Sequence, residues 1–318
     1  MTNASGDSLT RIAEWHEPLM GTAVELQLVL EGEGREERGQ SYTSAVIEEM
    51  LRLQNVLSSV DPTSEFSRWS RGKVAHVSPE VFEVLAEAAY WQSVSGGRFN
   101  PATAELSTLW KDAEMSGVIP AAQDAQAIAD AIAAPRWKVR DGRVLEQLGD
   151  CTHSTLNAFA KGWIVDRAIA MVMTFDGVRS ATVNAGGDLR RSGVDSLLVG
   201  IENPQRPFDN EPPLTAASLQ NAALATSGSA RKGFRIGDRR FGHVIDPRTG
   251  WPVETIASIS VVADTAATAD VLATILGVQE PIEAIAEADD RNTAVFIVDS
   301  EGNQFRSEAW TQIEVPIN

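Results

Sequence analysis

The amino-acid sequence predicts an α+β fold. Strand-like and helix-like segments follow one another without the regular strand–helix–strand alternation of a doubly wound sheet. The glycines near the N-terminus do not have G-x-G-x-x-G spacing, which argues against a Rossmann-type dinucleotide fold. A chain of 318 residues that is 43% hydrophobic can also bury a substantial core. These observations together indicate a globular protein with mixed secondary structure.

The N-terminal third is predicted to contain one strand and two helices. The segment TAVELQLVL from Thr22 alternates apolar and polar residues as a half-buried strand does, and the polar stretch EGEGREERGQ after it predicts a loop. A helix follows near Thr43, where apolar residues recur at helical spacing. The next helix has defined ends, because Ser78 can cap it, Pro79 suits its first position and a Gly-Gly pair can close it.

The rest of the chain alternates irregularly between the two kinds of element. An Ala-rich helix between Pro120 and Ala134 ends at Pro135. The later predicted elements are a helix in NAFAKGWIVDRAIAMVM, a strand in SATVNAGGDL, short strands in FRIGDRRFGHVID and TIASISVVA, a helix in TAATADVLATIL that ends at Gly277, and strands in NTAVFIVDS and TQIEVP.

Composition and charge exclude several classes of function. The chain has 27 basic and 44 acidic residues, a formal charge of −17, and no basic cluster long enough to follow a phosphate backbone, so nucleic acid is not an expected partner. Its one cysteine, Cys151, excludes a disulfide framework. No apolar run could span a bilayer, and the N-terminus does not resemble a secretory leader, so we expect a cytoplasmic protein without membrane insertion.

Asp270 and Thr274 form the first candidate site. They lie four residues apart in a predicted helix, so their oxygen-bearing side chains share one face. A carboxylate and a hydroxyl, joined by a backbone carbonyl and substrate phosphate, would suit Mg²⁺. On spacing alone, a solvated polar stripe on an apolar helix explains the pair better.

Three further segments allow both a functional and a structural interpretation. NAGGDL, with Gly186 and Gly187, permits close approach of a ligand but is equally a tight turn. ATSGSARKGF, with Arg231 and Lys232, resembles an anion-binding backbone nest but is equally a surface loop. In GHVIDPRTG, His243 could take part in chemistry, although Asp246 and the following Pro-Arg-Thr-Gly are sufficient for a turn.

Other catalytic motifs are missing from the sequence. The four histidines show no H-x-x-x-H spacing for a zinc hydrolase. Neither the G-x-S-x-G motif of a nucleophile elbow nor the G-x-x-x-x-G-K-[ST] motif of a P-loop occurs. A serine hydrolase assembled from distant residues has no positive support.

Eight segments in order resemble the ApbE family of FAD:protein FMN transferases. They are MGTAVEL, DPTSEFSRW, GGRFNPAT with the following LW, LNAFAKGWIVDRA, NAGGDL, ATSG, HVIDPRTGWPV and TAATADVLATILG. Each segment alone is weak evidence, whereas eight in the family's order are specific. The resemblance covers nearly the whole chain and implies a T-fold-like α+β architecture, with residues 1–14 as a flexible segment and residues 15–318 as a single flavin transferase domain.

The resemblance also implies a reaction and a set of site residues. Members of this family bind FAD with Mg²⁺ against its pyrophosphate, move FMN onto a threonine or serine of a target flavoprotein and release AMP. The metal ligands implied by the resemblance are Asp270, Thr274 and the carbonyl of Ala158, and Asp270 is also an expected catalytic residue. His243 is a candidate to accept the proton of the attacking hydroxyl. The expected FAD-binding residues are Met20, Arg98, Phe99, Asn100, Thr155, Lys161, Gly186, Gly187, Ser227, Gly228, His243, Val244 and Ile245.

The chain departs from the family pattern at several positions. Val60 replaces a common tyrosine, which removes a surface for stacking against an aromatic ring of FAD. Thr155 stands where an aspartate is usual, Asn100 stands where aspartate is common, and SGSA replaces an acidic and aromatic pair. Three hypotheses therefore remain open: a transferase, a hydrolase that converts FAD to FMN and AMP, and a flavin-binding protein without catalysis. The sequence identifies neither the acceptor protein nor the oligomeric state.

Overall fold

The secondary structure mixes helices and antiparallel strands, as the sequence predicts. The structure is a computed structural model that describes residues 9–207, 210–228 and 233–317. The strands within these residues are β1 (Thr10–Leu19), β2 (Thr22–Leu30), β3 (Trp137–Arg140), β4 (Val144–Gln147), β5 (Val178–Ala185), β6 (Asp188–Gly193), β7 (Leu197–Ile201), β8 (Thr215–Leu219), β9 (Ala223–Gly228), β10 (Gly233–Ile236), β11 (Arg239–Gly242), β12 (Ile256–Ala263), β13 (Ala294–Asp299), β14 (Gln304–Arg306) and β15 (Glu314–Val315). The helices are α1 (Arg35–Leu57), α2 (Glu65–Ser70), α3 (Pro79–Val94), α4 (Ala104–Ser116), α5 (Ala122–Ile132), α6 (Ala160–Val172), α7 (Ala266–Leu276), α8 (Pro281–Asp290) and α9 (Glu308–Ile313).

One sheet of eight strands positions the rest of the molecule. Its order is β1-β2-β5-β6-β9-β12-β13-β14, and every neighbouring pair is antiparallel. Smaller sheets are formed by β15-β8-β7, by β10-β11 and by β3-β4. This arrangement, with helices packed on an antiparallel sheet, confirms the predicted α+β class.

The largest part of the core lies between one face of the sheet and helices α1, α6 and α7. Along β2, Val24, Leu26 and Leu28 alternate with less buried residues, so one side of the strand faces the helices. Met50 of α1 and Val165 of α6 are fully buried in the same cluster. Burying each such side chain contributes about 1.5–3 kcal/mol, so this layer fixes α6 and α7 against the sheet.

The opposite face of the sheet is covered by the β15-β8-β7 sheet and α9. Leu189 and Leu224 from the large sheet are buried here with Trp310 of α9, whose ring stacks on Phe296 at a centroid distance of 5.4 Å. The strand predicted in TQIEVP is wrong in its first half, because Ser307 caps α9 and the helix continues through Ile313 before the short β15. Burial of Trp310 outweighs the local strand propensity.

Two boundaries near the N-terminus also differ from the prediction. Residues 10–14, assigned to a flexible segment, belong to β1, where Glu14 lies opposite Leu26 of β2. Pairing with β2 supplies hydrogen-bond partners to their backbone groups, so residues 10–14 belong to the folded domain. Helix α1 starts at Arg35 rather than near Thr43, because acidic side chains in its first turn favour the helix N-terminus. None of the described helices is both long and apolar enough to cross a membrane.

Candidate active site

Helix α7 carries the carboxylate and the hydroxyl that the sequence pairs. Thr265 caps the helix by accepting a hydrogen bond from the Thr268 backbone N–H at 3.1 Å. Asp270 is only 6% exposed, and Thr274 is half-buried one turn further along the same face. The Thr274 hydroxyl donates to the backbone carbonyl of Asp270 at 3.2 Å. The structure therefore places Asp270 and Thr274 side by side on one face of a largely buried helix, as their spacing predicts.

A close backbone contact fixes α7 against α6. A Cβ atom added to Gly162 of α6 would lie 2.5 Å from the carbonyl carbon of Ala266, so glycine is needed for this approach. The carboxylate of Asp166, one turn further along α6, accepts hydrogen bonds from the backbone N–H groups of Ala266 at 2.8 Å and Ala267 at 3.0 Å. A negative charge at a helix N-terminus is stabilising, so Asp166 acts as an end cap for α7 contributed by another helix.

Three charged side chains meet where α6, α7 and β6 pack together. The ammonium of Lys161 forms an ion pair with the carboxylate of Asp188, which is 3% exposed. Burial and the charge of Asp188 raise the pKa of Asp270 well above its ordinary value, although the charge of Lys161 and a hydrogen bond from the Gly162 backbone oppose the shift. Burial lowers the pKa of Lys161, but the charges of Asp188 and Asp270 outweigh it and raise that pKa.

The donor groups around Asp270 fit a hard divalent cation. The Oδ2 atom of Asp270 is buried and accepts no hydrogen bond within the described residues, an arrangement that costs free energy when the carboxylate is charged and that a bound cation would relieve. Thr274 offers a hydroxyl oxygen, and Ala158 lies half-buried in the turn that precedes α6. No group of three or more His, Cys, Asp or Glu side chains in the described ranges could hold a metal. A cation here would therefore depend on neutral oxygens and on a bound phosphate.

The glycines of NAGGDL form a tight turn between β5 and β6. Gly186 and Gly187 have φ values of 62° and 104°, and a Cβ atom on Gly186 would lie 2.2 Å from the Thr22 hydroxyl oxygen. The Gly187 carbonyl accepts a hydrogen bond from the Thr226 backbone at 3.1 Å. The turn thus joins β2, β6 and β9 at the edge where Asp188 begins β6.

A small pocket lies between the end of β9 and the face of α7 that carries Asp270. Ser227 and Gly228 of β9 lie opposite Ile259 and Ser258 of β12. The residues that line the pocket are Ser227, Gly228, Gly242, Val244, Val253, Ile256, Ile259, Ala273 and Gly277. Ala273 is three residues from Asp270, so the pocket lies on the helix face that carries the carboxylate. Residues 229–232, which include Arg231 and Lys232, lie outside the described residues.

His243 is exposed and stands between two pocket residues. Gly242 ends β11 on one side of it, and Val244 accepts a backbone hydrogen bond from Val253 at 2.9 Å on the other. Asp246 shapes the following turn, since its carbonyl accepts from the Gly250 N–H at 2.8 Å and its carboxylate binds Arg248. The turn interpretation is therefore correct for Asp246, while His243 lies exposed at the margin of the pocket.

Two predicted FAD-binding residues are held by other protein groups. The Met20 backbone N–H donates to the Gln54 side chain, and Met20 has a φ of 53° in the turn between β1 and β2. The Arg98 guanidinium forms an ion pair with Glu287 of α8 and donates to the Ser95 carbonyl at 2.7 Å. Arg98 would have to exchange or share its Glu287 partner to bind a phosphate.

Phe99, Asn100 and Thr155 have internal contacts. Phe99 is 4% exposed within the main core. The Asn100 amide donates to the Ile132 carbonyl at 2.8 Å and accepts from the Ala102 N–H at 2.9 Å, so its side chain fixes the end of α5. The Thr155 backbone N–H donates to the Pro101 carbonyl at 2.7 Å. The side chains of Phe99 and Asn100 are therefore engaged inside the protein.

Sequence reasoning did not assign roles to Gly162, Asp166 or Asp188. Gly162 and Asp166 lie four residues apart in α6, a spacing that places both on one face. The sequence shows that spacing, but the segment that these two residues contact, the first turn of α7, is about 100 residues further along the chain. Only the fold brings the two helices together.

The fold and this site define an α+β protein in which helix α7 carries a buried carboxylate and also contributes to a glycine-containing pocket. The model of the ApbE family matches residues 20–297, and the chain belongs to that family. Curated relatives named FAD:protein FMN transferase include one from Haemophilus influenzae, 27% identical over 83% of this chain and 80% of the relative. Another, from Vibrio cholerae, is 25% identical over 92% of this chain and 89% of the relative.

Solved structures show the same fold. The crystal structure of the ApbE protein from Thermotoga maritima superimposes with a TM-score of 0.81 and covers 97% of this chain and 100% of its own. The two sequences are only 22% identical, so this likeness concerns the fold alone.

Proposed function

We propose that this protein is a Mg²⁺-dependent FAD:protein FMN transferase. It attaches FMN through a phosphoester to a threonine or serine of a target flavoprotein and releases AMP. The observation that carries the proposal is the buried Oδ2 atom of Asp270, which accepts no hydrogen bond within the described residues. A cation stabilises such an oxygen, and the Thr274 hydroxyl one turn away supplies a second hard ligand. The names of the relatives describe this chemistry.

Asp270, Thr274 and the carbonyl of Ala158 would hold the metal. Bound Mg²⁺ supplies positive charge that offsets the charge developing on a pyrophosphate as it is cleaved. The Lys161 ammonium, oriented by its ion pair with Asp188, adds a fixed positive charge beside Asp270. This arrangement favours phosphoryl transfer, which depends mainly on positioning and on charge neutralisation.

The transfer step needs an acceptor hydroxyl and a proton acceptor. The hydroxyl oxygen bonds to the FMN phosphorus, the bond from that phosphorus to the bridging oxygen breaks, and AMP leaves with the bridging oxygen. His243 accepts the hydroxyl proton, since it is exposed at the pocket margin and imidazole is the side chain most often used as a general base near neutral pH. In this proposal the flavin nucleotide contacts Ser227, Gly228 and Val244, which line the pocket. The other proposed contacts, which do not line it, are Met20, Lys161, Gly186, Gly187 and Ile245.

The test combines purified protein, FAD and Mg²⁺ with a domain that carries a Ser/Thr-Gly-Ala-Ser/Thr acceptor segment. AMP and covalently bound flavin are followed by mass spectrometry. We expect Asp270→Asn and Thr274→Val to lower transfer, the former by more than about 100-fold, because each removes a metal ligand. Asp264→Asn is the matched control, since Asp264 is exposed just before α7.

Two other outcomes would identify the competing functions. AMP release without flavin on any acceptor would indicate a hydrolase that gives FMN and AMP. Bound FAD without AMP under any divalent metal would indicate a binding protein that has lost catalysis. The substitutions at Val60, which is 87% exposed, and at Thr155 motivate that last possibility.

A further inference from the structure

The small pocket lies between two segments that carry different groups of the proposed reaction. Helix α7 carries Asp270 and ends at Gly277, which lines the pocket. Residues 242–253, which we call the hairpin wall, include His243 and contribute Val244 to the lining. The proposed metal ligand and the proposed base therefore stand on separate segments, and the fold must fix the position of one relative to the other.

The side chain of Arg248 forms hydrogen bonds to both of these segments. Its guanidinium makes two parallel hydrogen bonds to the Asp246 carboxylate, from Nε to Oδ1 at 2.9 Å and from Nη2 to Oδ2 at 2.8 Å. The same Nη2 atom donates to the backbone carbonyl of Val278 at 3.0 Å. Val278 is buried and directly follows Gly277 at the end of α7. We call Asp246, Arg248 and Val278 the arginine clamp.

Backbone hydrogen bonds make the hairpin wall a single unit from the pocket to the clamp. The Val253 N–H donates to the Val244 carbonyl at 2.9 Å, and the Asp246 N–H donates to the Trp251 carbonyl at 2.8 Å. His243 directly precedes the first of these bonds in the chain. A shift of the turn at Asp246 is therefore transmitted along the ladder to the backbone of His243.

Two helices hold the outer end of the same turn. Trp110 of α4 donates its indole N–H to the Gly250 carbonyl at 2.8 Å, and the Gln126 amide of α5 donates to the Arg248 carbonyl at 3.1 Å. A Cβ atom added to Gly250 would lie 2.5 Å from the Ala125 carbonyl oxygen, so the turn packs directly on the backbone of α5. The turn is thus fixed to α4 and α5 on one side, and the arginine clamp fixes it to the end of α7 on the other.

The geometry of the clamp suits a guanidinium group. The Arg248 side chain is 43% exposed and that of Asp246 is 14% exposed, and ion pairs as exposed as this one add little to stability. A guanidinium presents its donors in a rigid planar fork, so one side chain can bind both carboxylate oxygens and still direct an N–H to a carbonyl. A lysine ammonium is a point charge without that fork. The clamp therefore acts on distance and orientation more than on stability.

We propose that Arg248 is a positioning residue that holds His243 in register with α7, the helix that carries Asp270. This inference rests on the proposed transferase function, in which His243 accepts the proton of the acceptor hydroxyl and Asp270 binds the metal. Without the clamp, the hairpin wall is free to shift relative to α7. A misplacement of about 1 Å at a reacting centre can lower a rate by about 100-fold.

The test is a double-mutant cycle between Arg248 and His243. Arg248→Met, His243→Ala and the double variant are assayed for covalent flavin on the acceptor domain at saturating FAD and Mg²⁺, so that kcat is separated from KM. Arg248→Lys keeps the charge without the fork. Arg140→Met is the matched control, because Arg140 also pairs with a carboxylate, that of Glu146, and is 53% exposed in the β3-β4 hairpin, which does not line the pocket.

Two further measurements do not need catalysis. Flavin fluorescence gives the dissociation constant for FAD, and hydrogen–deuterium exchange followed by mass spectrometry reports on the backbone amides of residues 244–253. We expect Arg248→Met to accelerate exchange in this segment, because its backbone is no longer fixed to the end of α7. Arg140→Met should leave the exchange of the same segment unchanged.

We expect Arg248→Met to lower kcat by about 30-fold while the dissociation constant for FAD stays within about threefold. Arg248→Lys should recover only a minor part of the loss, since the charge alone does not restore the fork. In the His243→Ala background, the Arg248→Met substitution should lower kcat by less than about threefold, because a residue that acts through another has little effect once that other residue is gone.

Four outcomes would overturn the inference. They are an unchanged kcat in Arg248→Met, an equal loss in the presence and absence of His243, full activity in Arg248→Lys, and the same loss in Arg140→Met. Failure of the proposed function gives a different result. If the wild-type protein transfers no flavin, while Arg248→Met still accelerates exchange in residues 244–253, then the transferase is refuted and the clamp between the hairpin wall and α7 is retained.

Discussion

Replacing Gly162 with alanine tests whether the contact between α6 and α7 sets the position of Asp270. The added Cβ atom would lie 2.5 Å from the Ala266 carbonyl carbon and oxygen and 2.7 Å from the Ala267 nitrogen. Ordinary contacts begin near 3.4 Å, so the helices must separate by roughly 1 Å. The obstacle is backbone, and it cannot rotate away as a side chain can.

The magnitude follows from two opposing terms. Overpacking of this kind costs about 3 kcal/mol, whereas alanine in place of glycine within a helix gains about 1 kcal/mol. We expect a net loss of about 2 kcal/mol in the free energy of unfolding. With an unfolding entropy of about 2.1 cal/mol/K per residue, this lowers Tm by about 3 °C. A displacement near 1 Å at a reacting centre can lower a rate by about 100-fold, so transfer should fall further than stability does.

Gly39→Ala is the control, because Gly39 also lies within a helix. There the nearest atom to the added Cβ is the Cδ1 atom of Ile12, at 1.9 Å, the movable end of a side chain. We expect a change within about 1 kcal/mol and normal transfer. Stability is measured by chemical and thermal denaturation, and activity by covalent flavin on the acceptor. Equal behaviour of the two variants in both assays would refute the reasoning.

Three further measurements follow from the same structure. Asp166→Asn should cost about 1–2 kcal/mol in urea denaturation because it weakens the cap on α7, and an unchanged midpoint would contradict that role. Burial and the charge of Asp188 raise the pKa of Asp270, so without metal the folded state binds the proton of this carboxyl group more tightly than the unfolded state does. The folded state therefore loses stability as pH rises through the folded-state pKa. Asp270→Asn should remove that loss, and Mg²⁺ should raise the Tm of wild type but not of the variant; equal Mg²⁺ effects would argue against a metal at Asp270. Burial raises the pKa of Cys151 to about 11, so a thiol reagent at pH 8 should modify it only as fast as the protein opens, and rapid labelling of the folded protein would contradict its burial.

Local sequence determined the elements whose signals lie within a few residues. Ser78 caps α3, Pro79 stands in its first turn, and Thr265 and Gly277 bound α7 as their residue types predict. The i, i+4 spacing of Asp270 and Thr274 places both on one helix face without the help of any tertiary contact. These features depend on backbone preferences and helix periodicity, which the sequence carries directly.

The tertiary structure decided the features that depend on distant partners. The segment around Trp310 becomes helical because the indole is buried beneath the large sheet, and residues 10–14 are ordered because β2 lies beside them. The junction of α6, α7 and β6 creates both the Lys161–Asp188 ion pair and the buried Asp270 oxygen that accepts no hydrogen bond among the described residues. The sequence by itself determined which side chains could do chemistry; packing decided which of them meet, because burial and long-range contacts set both their neighbours and their charge.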